Sequence, residues 1–364
     1  MRYISSSLPE YPVLADMWDT LASESRPIVV YGMGIGADKL LDRFGTYGIT
    51  VSDFFASDGF VRGHTFHGMR VKSFSEIKET YSDFVIVLSF ASNRAEVIDM
   101  LSAIDSEYDM YVPDMPVAGE EYFDREFYNS HYSEILAAHG LFADEDSKNA
   151  YASIINYKLT GRMSYLMDAY STKDELYAEL SSRRIEQFVD AGAYNGDTAK
   201  EAIEYFKELR EIIAIEPDPK NFKKLEKFAA TVTGPVVRTV NSAVWSDSGD
   251  GEFSSSGNRN SSISSTTSYE HKETGVSLIS IDSLGASPDH IKYDVEGAEL
   301  EALIGSHETI ERSHPTLLVS LYHRSGDIFR IPNYLKGKYP YYRMTLRRLR
   351  CLPAWEIDLL LFDT

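Results

Sequence analysis

The sequence predicts an α/β protein in which two parallel sheets are joined by a helical segment. Its 364 residues are enough for two domains, each with its own core. In two parts of the chain, short apolar runs alternate with helical patterns, which is typical of parallel sheets covered by helices. In each part a glycine-rich turn joins the first run to a helical pattern. Between them, aromatic residues recur at helical spacing.

The first unit begins with PIVVYGMGIGADKLLDRF, which predicts a strand, a turn and a helix, and ITVSDFFAS and DFVIVLSF supply further strands. Gly32, Gly34 and Ala37 satisfy G-x-G-x-x-A, and Asp58 lies near the end of the second strand. This turn is suited to a nucleotide phosphate, although the same glycines also serve to pack helix against strand. We predict a Rossmann-like domain over residues 1–118. It resembles the small Rossmann-like domain that precedes some sugar-modifying transferases, which implies either a nucleotide or nucleotide-sugar ligand or a regulatory site.

Residues 119–184 are predicted to be a helical connector that covers one end of the following domain. Tyr and Phe recur there every three to four residues, which favours contacts between packed helices over a cofactor site. The run DEDSK at residues 144–148 predicts a helix start, because acidic residues favour the positive end of the helix dipole.

Residues 185–364 are predicted to form a second, larger sheet. The expected strands are EQFVDAG, EIIAIEPD, VRTVNSAVW, DHIKYDVEG, PTLLVSLYH, YYRMTLRR and EIDLLLFD. The last two are close enough in the chain to pair as an antiparallel ribbon at the sheet edge. The serine-rich stretch from Ser254 to Gly275 contains few apolar residues and is expected to be a mobile loop or a weak hairpin.

The most informative run is FVDAGAYNGDT, at residues 188–198. A strand ends there at Asp190, and the turn after it passes through Gly192, Tyr194 and Gly196. Glycine lets the backbone approach a ligand closely at such a strand-to-helix turn. About two dozen residues later the next strand ends in Glu216 and Pro217, where an acidic group is placed to bind both hydroxyls of a ribose. The pair predicts a crevice that binds a nucleoside.

Further blocks follow in order: NSAVWSD, VSLISIDSL, IKYDVEGAELEALIG and HPTLLVSLYH. Together with the glycine turn, they resemble the FkbM family of S-adenosylmethionine-dependent methyltransferases over nearly the whole carboxy-terminal half. The resemblance implies a class I methyltransferase fold with S-adenosyl-L-methionine as the cofactor. It also implies that Asp190 accepts from the methionyl ammonium, and that Ser242 and Ala243 flank the adenine. Trp245 either packs in the core or contacts the adenine.

Candidate catalytic residues lie at the ends of the next two strands. Lys292 is one strand repeat before Asp294, so both point to the same face and are expected to form an ion pair. Asp294 and Glu296 either take part in chemistry or cap the following helix, and the two roles are compatible. His323 is either a packing residue or, as an unperturbed imidazole, the group that removes a hydroxyl proton. Asp282 could orient a base, bind a metal with Asp294 or cap a helix.

The family resemblance implies methyl transfer to a hydroxyl group of a small molecule or glycan, and N-methylation stays open. His323 or Asp294 would take the proton, and Lys292 would hold the acceptor. Arg259 and Asn260 in the serine-rich loop either contact the acceptor or are solvated. Two other functions remain open. One is a sugar-modifying oxidoreductase or epimerase that uses NAD or a nucleotide-sugar at Gly32 to Ala37. The other is a non-catalytic protein that only binds the cofactor.

The composition limits the kinds of partner that the protein can bind and the cellular compartment in which we expect it. The formal net charge of −20 argues against wrapping nucleic acid, because phosphate binding depends on clustered Lys and Arg. The basic run at residues 343–350 either binds an anion or is one face of a strand. Cys351 is the only cysteine, which excludes an intrachain disulfide and fits a reducing compartment. Without an apolar signal core or spanning run, we expect a cytoplasmic protein with no membrane partner; a homodimer is left open.

Overall fold

The computed structural model describes residues 7–61, 63–167, 170–254 and 273–363. In chain order, the α-helices of these residues are α1 (Met17–Ala22), α2 (Ile35–Tyr47), α3 (Phe74–Thr80), α4 (Ala95–Glu107), α5 (Arg125–Ser130), α6 (Tyr132–Leu141), α7 (Glu145–Thr160), α8 (Ser164–Met167), α9 (Lys173–Leu180), α10 (Asp197–Tyr205), α11 (Pro219–Ala229), α12 (Glu299–Ile304), α13 (His307–Ser313) and α14 (Asp327–Lys338).

The strands follow the same order. They are β1 (Ile28–Tyr31), β2 (Asp53–Ala56), β3 (Thr65–Phe66), β4 (Met69–Arg70), β5 (Lys72–Ser73), β6 (Val85–Leu88), β7 (Asp109–Tyr111), β8 (Gln187–Ala191), β9 (Glu211–Ile215), β10 (Val236–Val240), β11 (Ala243–Val244), β12 (Gly249–Ser254), β13 (Glu273–Ile279), β14 (His290–Tyr293), β15 (Thr316–Ser320), β16 (Tyr342–Arg348) and β17 (Ile357–Asp363).

The first sheet has the strand order β5-β2-β1-β6-β7, and its strands are all parallel. Its central strands, IVVY in β1 and VIVL in β6, are buried along their whole length. Continuous runs of β-branched and aliphatic residues are typical of parallel strands that helices cover on both faces. The α/β class predicted for this part of the chain is confirmed.

The second sheet has the strand order β10-β9-β8-β14-β15-β17-β16. The first five strands are parallel, while β17 pairs antiparallel with both β15 and β16. The predicted antiparallel ribbon is therefore confirmed. Because β17 runs against the others, its first residues lie at the edge where the parallel strands end, and Asp358 is paired with Ser320, the last residue of β15.

The predicted third strand of this unit, VRTVNSAVW, was wrong as a single strand. β10 ends at Val240, and the side chain of Asn241 donates to the backbone carbonyl of Glu216 at 2.8 Å. The chain then turns away, and β11 pairs with β13 in a separate three-stranded sheet. Most of the expected loop from Ser254 to Gly275, including Arg259 and Asn260, lies outside the described residues; the flanking β12 and β13 pair antiparallel.

Helices α5 to α9 make up the predicted connector, whose boundaries at residues 118 and 184 stay predictions. The predicted helix start is confirmed, because the Asp144 carboxylate accepts from the backbone N–H of Ser147 and caps α7. Most of α7 is buried, and its apolar residues belong to one core cluster with residues of both large sheets. The connector is thus the centre of the core that joins the two sheets.

This shared core predicts that the two sheets unfold together. Replacing Ile154 of α7, which is fully buried in the cluster, by Ala should cost about 2–5 kcal/mol of unfolding free energy. Urea unfolding followed by both tryptophan fluorescence and far-ultraviolet circular dichroism should show one transition shifted as a whole. Lys148→Ala, which removes only a surface pair with Glu145, should cost less than about 1 kcal/mol. Two transitions of which one alone shifts would contradict the shared core.

Candidate functional site

The turn after β8 packs directly onto the end of β14. Gly192 has φ +89, and a Cβ there would lie 1.8 Å from the carbonyl oxygen of Asp294. Only glycine fits this position, because both its conformation and the space exclude a side chain. The amides of Gly192 and Ala193 donate to the carbonyl of Ile215 at 3.0 and 2.9 Å. The ends of β8, β9 and β14 are therefore fixed against one another.

Glu216, at the end of β9, is held by two backbone amides. Its carboxylate accepts from the N–H of Tyr194 at 2.9 Å and from that of Asp218 at 2.8 Å. Burial raises the pKa of this carboxyl to about 7, although the two amides act in the opposite direction. Tyr194 itself has a left-handed backbone, with φ +48, which non-glycine residues rarely adopt. The turn is thus tied to the acidic end of the neighbouring strand.

Lys292 and Asp294 form the ion pair that their spacing predicts. The Lys292 ammonium donates to Asp294 and to the hydroxyl of Thr198, each at 3.0 Å, and the Tyr322 hydroxyl donates to the other Asp294 oxygen at 3.1 Å. Burial alone would raise the pKa of Asp294, but Lys292 and His323 outweigh it and lower the pKa to about 2. Asp294 is therefore ionised, and both of its oxygens already have partners.

Glu296 lies in the turn that follows. Its backbone is left-handed, with φ +56. Its carboxylate is 3.5 Å from Nε2 of His323, and burial raises its pKa to about 8. The next acidic residue, Glu299, caps this turn by accepting from the amides of Val295 and Gly297 at 2.9 and 3.3 Å. Capping, which the sequence left open for Asp294 and Glu296, is thus carried out by Glu299.

His323 is fully buried among carboxylates. Its Nδ1 lies 2.9 Å from Glu299, and its Nε2 lies 3.5 Å from both Asp294 and Glu296. Burial alone would lower the pKa of the imidazole, but these carboxylates raise it to about 10. The ring is therefore an imidazolium at neutral pH. This corrects the expected role of His323 as a proton acceptor, because a protonated ring without access to a substrate cannot take a proton.

A cavity of about 480 Å³ opens at this edge of the second sheet, and we call it the strand-end cavity. Its size is typical of small-molecule sites. Most of the sequence-predicted site residues line it. These are Gly192, Tyr194, Glu216, Pro217, Ser242, Ala243, Lys292 and Asp294.

Three predicted residues do not line the cavity: Asp190, Gly196 and His323. Gly196 makes room for a neighbour, since a Cβ there would lie 2.4 Å from the ring of Phe228. Asp190 is fully buried beside Lys292 on the adjacent strand, and neither of its carboxylate oxygens has a partner among the described residues. Burial raises the pKa of Asp190 to about 7. An unpartnered buried carboxylate is costly, which suits a site completed by a ligand.

Sequence reasoning missed several cavity residues that tertiary contacts bring in. Six of them belong to the connector: residues 170–173, Leu176 and Tyr177. The others include Asn93 after β6 and four residues between β16 and the start of β17, namely Arg350, Trp355, Glu356 and Asp358. The sequence contained one indication of this second group of cavity residues. Asp358 is an acidic residue in the otherwise apolar run IDLLLF, at the end of β17 that lies beside the parallel strand ends.

Protein packs closely against two glycines of the first turn, whereas a Cβ at Gly34 would meet nothing within 4 Å. A Cβ at Gly32 would lie 2.6 Å from the Ser89 hydroxyl and 2.9 Å from the Phe90 ring, and one at Gly36 would lie 2.1 Å from the Ser89 carbonyl. The Asp58 carboxylate accepts from the Ser75 hydroxyl at 2.6 Å. The glycines at 32 and 36 are thus used for packing, as one of the two predicted interpretations required. The structure gives no support to a nucleotide-sugar at Gly32, Gly34 and Ala37.

The structure also distinguishes between the alternative roles predicted for Asp282 and Trp245. Asp282 accepts from the amides of Glu308 and Thr309 at 3.1 and 2.7 Å, which is the capping role. Trp245 is half-buried and does not line the strand-end cavity. Within the described part of the chain, no cluster of three or more His, Cys, Asp or Glu residues could hold a metal ion, and no helix is long and apolar enough to cross a membrane.

Comparisons with known proteins agree with this geometry. Residues 190–346 match the family model described as "Methyltransferase FkbM domain". The FkbM methyltransferase structure from Methylobacillus flagellatus KT aligns over 96% of this chain and 94% of its own, with 18% identity and a TM-score of 0.66, which shows the fold.

Other solved structures align with about half of the chain. An rRNA methylase from Streptococcus thermophilus covers 52% of this chain and 94% of its own at 11% identity, with a TM-score of 0.35. Precorrin-6y C5,15-methyltransferase from Geobacter metallireducens GS-15 covers 54% and 92% at 12% identity, with a TM-score of 0.34. No curated protein matches the chain by sequence.

The buried imidazolium predicts a specific stability defect. His323→Gln removes the cation beside the carboxylates of Glu299 and Glu296, while Asp294 keeps Lys292, and should cost about 3–5 kcal/mol of unfolding free energy at pH 7. Urea unfolding measures this loss. His67→Gln, which removes an exposed pair with Asp38 and a ring contact with Phe66, should cost no more than about 1 kcal/mol.

The pH dependence distinguishes charge from packing. The folded pKa of His323, about 10, lies above its ordinary value of 6.5, so its stabilisation is complete below that value and is lost as pH rises through about 10. The difference in unfolding free energy between wild type and His323→Gln should therefore shrink between pH 7 and pH 10. A difference that stays constant over this range would mean that His323 acts only by packing.

Proposed function

We propose that this protein transfers a methyl group from S-adenosylmethionine to a hydroxyl group of a small molecule or glycan, since residues 190–346 match the model of the methyltransferase FkbM domain. One observation carries the proposal: the strand-end cavity brings together eight of the residues expected to bind the cofactor or the acceptor. The catalytic domain would span residues 185–364. A cytoplasmic location, the absence of nucleic-acid and membrane partners, and a homodimer stay predictions.

The residues present fit the cofactor. When bound, S-adenosylmethionine supplies a methyl group on a positively charged sulfur, and the transfer leaves a neutral thioether. Glu216 has spare lone pairs for ribose hydroxyls, since a carboxylate offers about four acceptor sites and the two amides use only part of them. Asp190 lies beside Lys292 and does not line the cavity, so its expected contact with the methionyl ammonium stays a prediction. Ser242 and Ala243, on the cavity wall, would flank the adenine.

The charge of the strand-end cavity also supports a cationic cofactor. Seven carboxyl groups line it, against the three cations Lys173, Lys292 and Arg350. Each of these cations is paired with a carboxylate, namely Glu201, Asp294 and Asp99 respectively. Three of the seven carboxyl groups, Glu216, Glu296 and Asp358, have pKa values raised to about 7 or 8 and are partly protonated at neutral pH. The other four still outnumber the three cations, so the net potential in the cavity is negative, which favours a sulfonium over an anion.

Glu296 is the best-placed proton acceptor for a hydroxyl. Asp294, the residue favoured by the sequence, is ionised but committed to Lys292 and Tyr322. Glu296 lines the strand-end cavity. With a pKa of about 8 its carboxyl is mostly protonated at neutral pH, and the positive charge of a bound cofactor would favour the ionised form, which is then the stronger base. Lys292 uses two of its three N–H donors within the protein, so one remains to hold the acceptor oxygen. His323 would act by positioning Glu296.

Isothermal titration calorimetry tests cofactor choice. We expect S-adenosylmethionine and S-adenosylhomocysteine to bind and NAD not to bind, because Ser89 and Phe90 fill the crevice of the first glycine turn. Glu216→Gln should weaken binding about 10- to 100-fold, the equivalent of a lost charged hydrogen bond. Glu211→Gln, at the other end of β9, is the matched control and should bind normally. Binding of NAD but not of S-adenosylmethionine would favour the oxidoreductase instead.

Cofactor binding should also release protons. Burial raises the pKa values of Asp190 and Glu216 to about 7 and that of Glu296 to about 8. A cation in the strand-end cavity favours their ionised forms, so the affinity for S-adenosylmethionine should increase from pH 6 to pH 8.5.

Titrations at pH 7 in two buffers with different ionisation enthalpies measure the released protons. S-adenosylhomocysteine, which lacks the sulfonium charge, is the matched ligand and should release fewer protons. Equal heats in both buffers would show that these carboxyl groups do not respond to the cofactor.

A further inference from the structure

The strand-end cavity extends beyond the predicted cofactor residues to a second wall. This wall, which we call the outer wall, consists of Asn93 from the first unit, Tyr170 from the connector, and Trp355, Glu356 and Asp358 around the β16–β17 connection. Three distant parts of the chain thus meet at one side of the cavity. No residue of the outer wall belongs to the motif blocks from which the cofactor site was predicted.

The outer wall is held in place by backbone hydrogen bonds between the units. Ser92 and Leu352 exchange both of theirs, at 2.7 and 2.9 Å, which links the loop after β6 to the β16–β17 connection. Ser171 donates to the carbonyl of Arg348 at 2.8 Å. The buried Arg348 side chain in turn donates to the carbonyl of Cys351 at 3.2 Å. A wall fixed in this way is organised before any ligand arrives, which lowers the entropic cost of binding.

Backbone strain independently indicates that the outer wall has a function. Among the described residues, five non-glycine residues have positive φ, and three of them, Tyr194, Glu296 and Glu356, line the strand-end cavity. Such conformations cost of order 1–3 kcal/mol and cluster at functional sites. Tyr194 and Glu296 border the cofactor side. Glu356, with φ +58, lies on the outer wall, where the cofactor motifs assign no function.

The chemistry of the outer wall fits an uncharged ligand with hydroxyl groups. Glu356 and Asp358 offer acceptors, Asn93 offers both a donor and an acceptor, and the enclosed indole N–H of Trp355 has no acceptor among the described residues. The three cations of the cavity are all paired, so a phosphate or carboxylate would meet excess negative charge. An ammonium only donates hydrogen bonds, whereas a hydroxyl donates and accepts and so matches the mixed set.

We propose that the outer wall is the acceptor subsite and binds an uncharged compound that carries several hydroxyl groups. This inference rests on the proposed methyltransferase function. It also gives the amino-terminal unit a role: its loop after β6 completes the acceptor site of the carboxy-terminal unit. Burial raises the pKa of Asp358 to about 8, so its carboxyl is mostly protonated at neutral pH and can both donate to and accept from a hydroxyl.

Binding of simple probes tests the chemical class. Saturation-transfer NMR would be recorded with S-adenosylhomocysteine present, using methyl β-D-glucopyranoside and myo-inositol as uncharged probes, glucose 6-phosphate as the anion and glucosamine as the cation. We expect saturation of at least one uncharged probe and none of the phosphate. Methylation of the same probes, read as a mass increase of one methylene, should follow the same order.

Three variants test the residues. Asn93→Ala should weaken the uncharged probe about two- to tenfold, as expected for one lost hydrogen bond, while the affinity for S-adenosylhomocysteine stays unchanged. Glu356→Gly should weaken the probe, because it removes a carboxylate of the outer wall, and should leave the affinity for S-adenosylhomocysteine unchanged. Asn149→Ala, on α7 and away from the cavity lining, is the matched control and should change neither affinity.

The outcomes separate the two proposals. If S-adenosylhomocysteine and S-adenosylmethionine fail to bind, the proposed function falls. If they bind but the phosphate or the amine binds more tightly than the uncharged probes, or no uncharged probe binds, the acceptor class is wrong. If Asn93→Ala and Glu356→Gly leave probe binding unchanged, or weaken probe and S-adenosylhomocysteine equally, the outer wall is not an acceptor subsite.

Discussion

Two cations, the half-buried Lys292 and the fully buried His323, hold together carboxylates that would otherwise repel one another. Lys292 pairs with Asp294, and His323 lies within 3.5 Å of Asp294, Glu296 and Glu299. Removing charges from water is costly, and the cost is recovered only where partners are close and well oriented. The cluster therefore influences the charge of each member: Asp294 stays ionised, while Glu296 keeps a raised pKa.

This cluster depends on contacts outside the second sheet. The backbone carbonyl of His323 accepts from the amides of Val117 and Ala118 at 3.1 and 2.9 Å, so the segment just before the connector is fixed beside the buried histidine. The same connector carries α7, which lies in the core shared by both sheets. The amino-terminal unit thus contributes to the site through packing, by excluding water from the cations, as well as through its loop at Asn93.

The sequence predicted the parts of the site that local rules determine. Gly192 and Glu216 were found because a strand-to-helix turn needs glycine and because an acidic group follows the next strand; Lys292 and Asp294 were found because alternate residues of a strand share a face. The charge of His323 could not be predicted, since it is set by Glu299 and by burial. Asn93 and Glu356 were missed because only tertiary contacts bring them to the cavity.

The two glycine turns show that a local sequence pattern does not by itself identify a ligand site. Gly32 and Gly192 both follow the first strand of a parallel sheet and both have positive φ. In both turns protein fills the space beside the glycine: the Ser89 hydroxyl and the Phe90 ring lie beside Gly32, and the Asp294 carbonyl lies beside Gly192. The surroundings differ, because Gly192 also lines the strand-end cavity together with Glu216 and Asp294. A glycine turn thus reports that something approaches the backbone closely, and the residues at the ends of the neighbouring strands decide whether a ligand can enter as well.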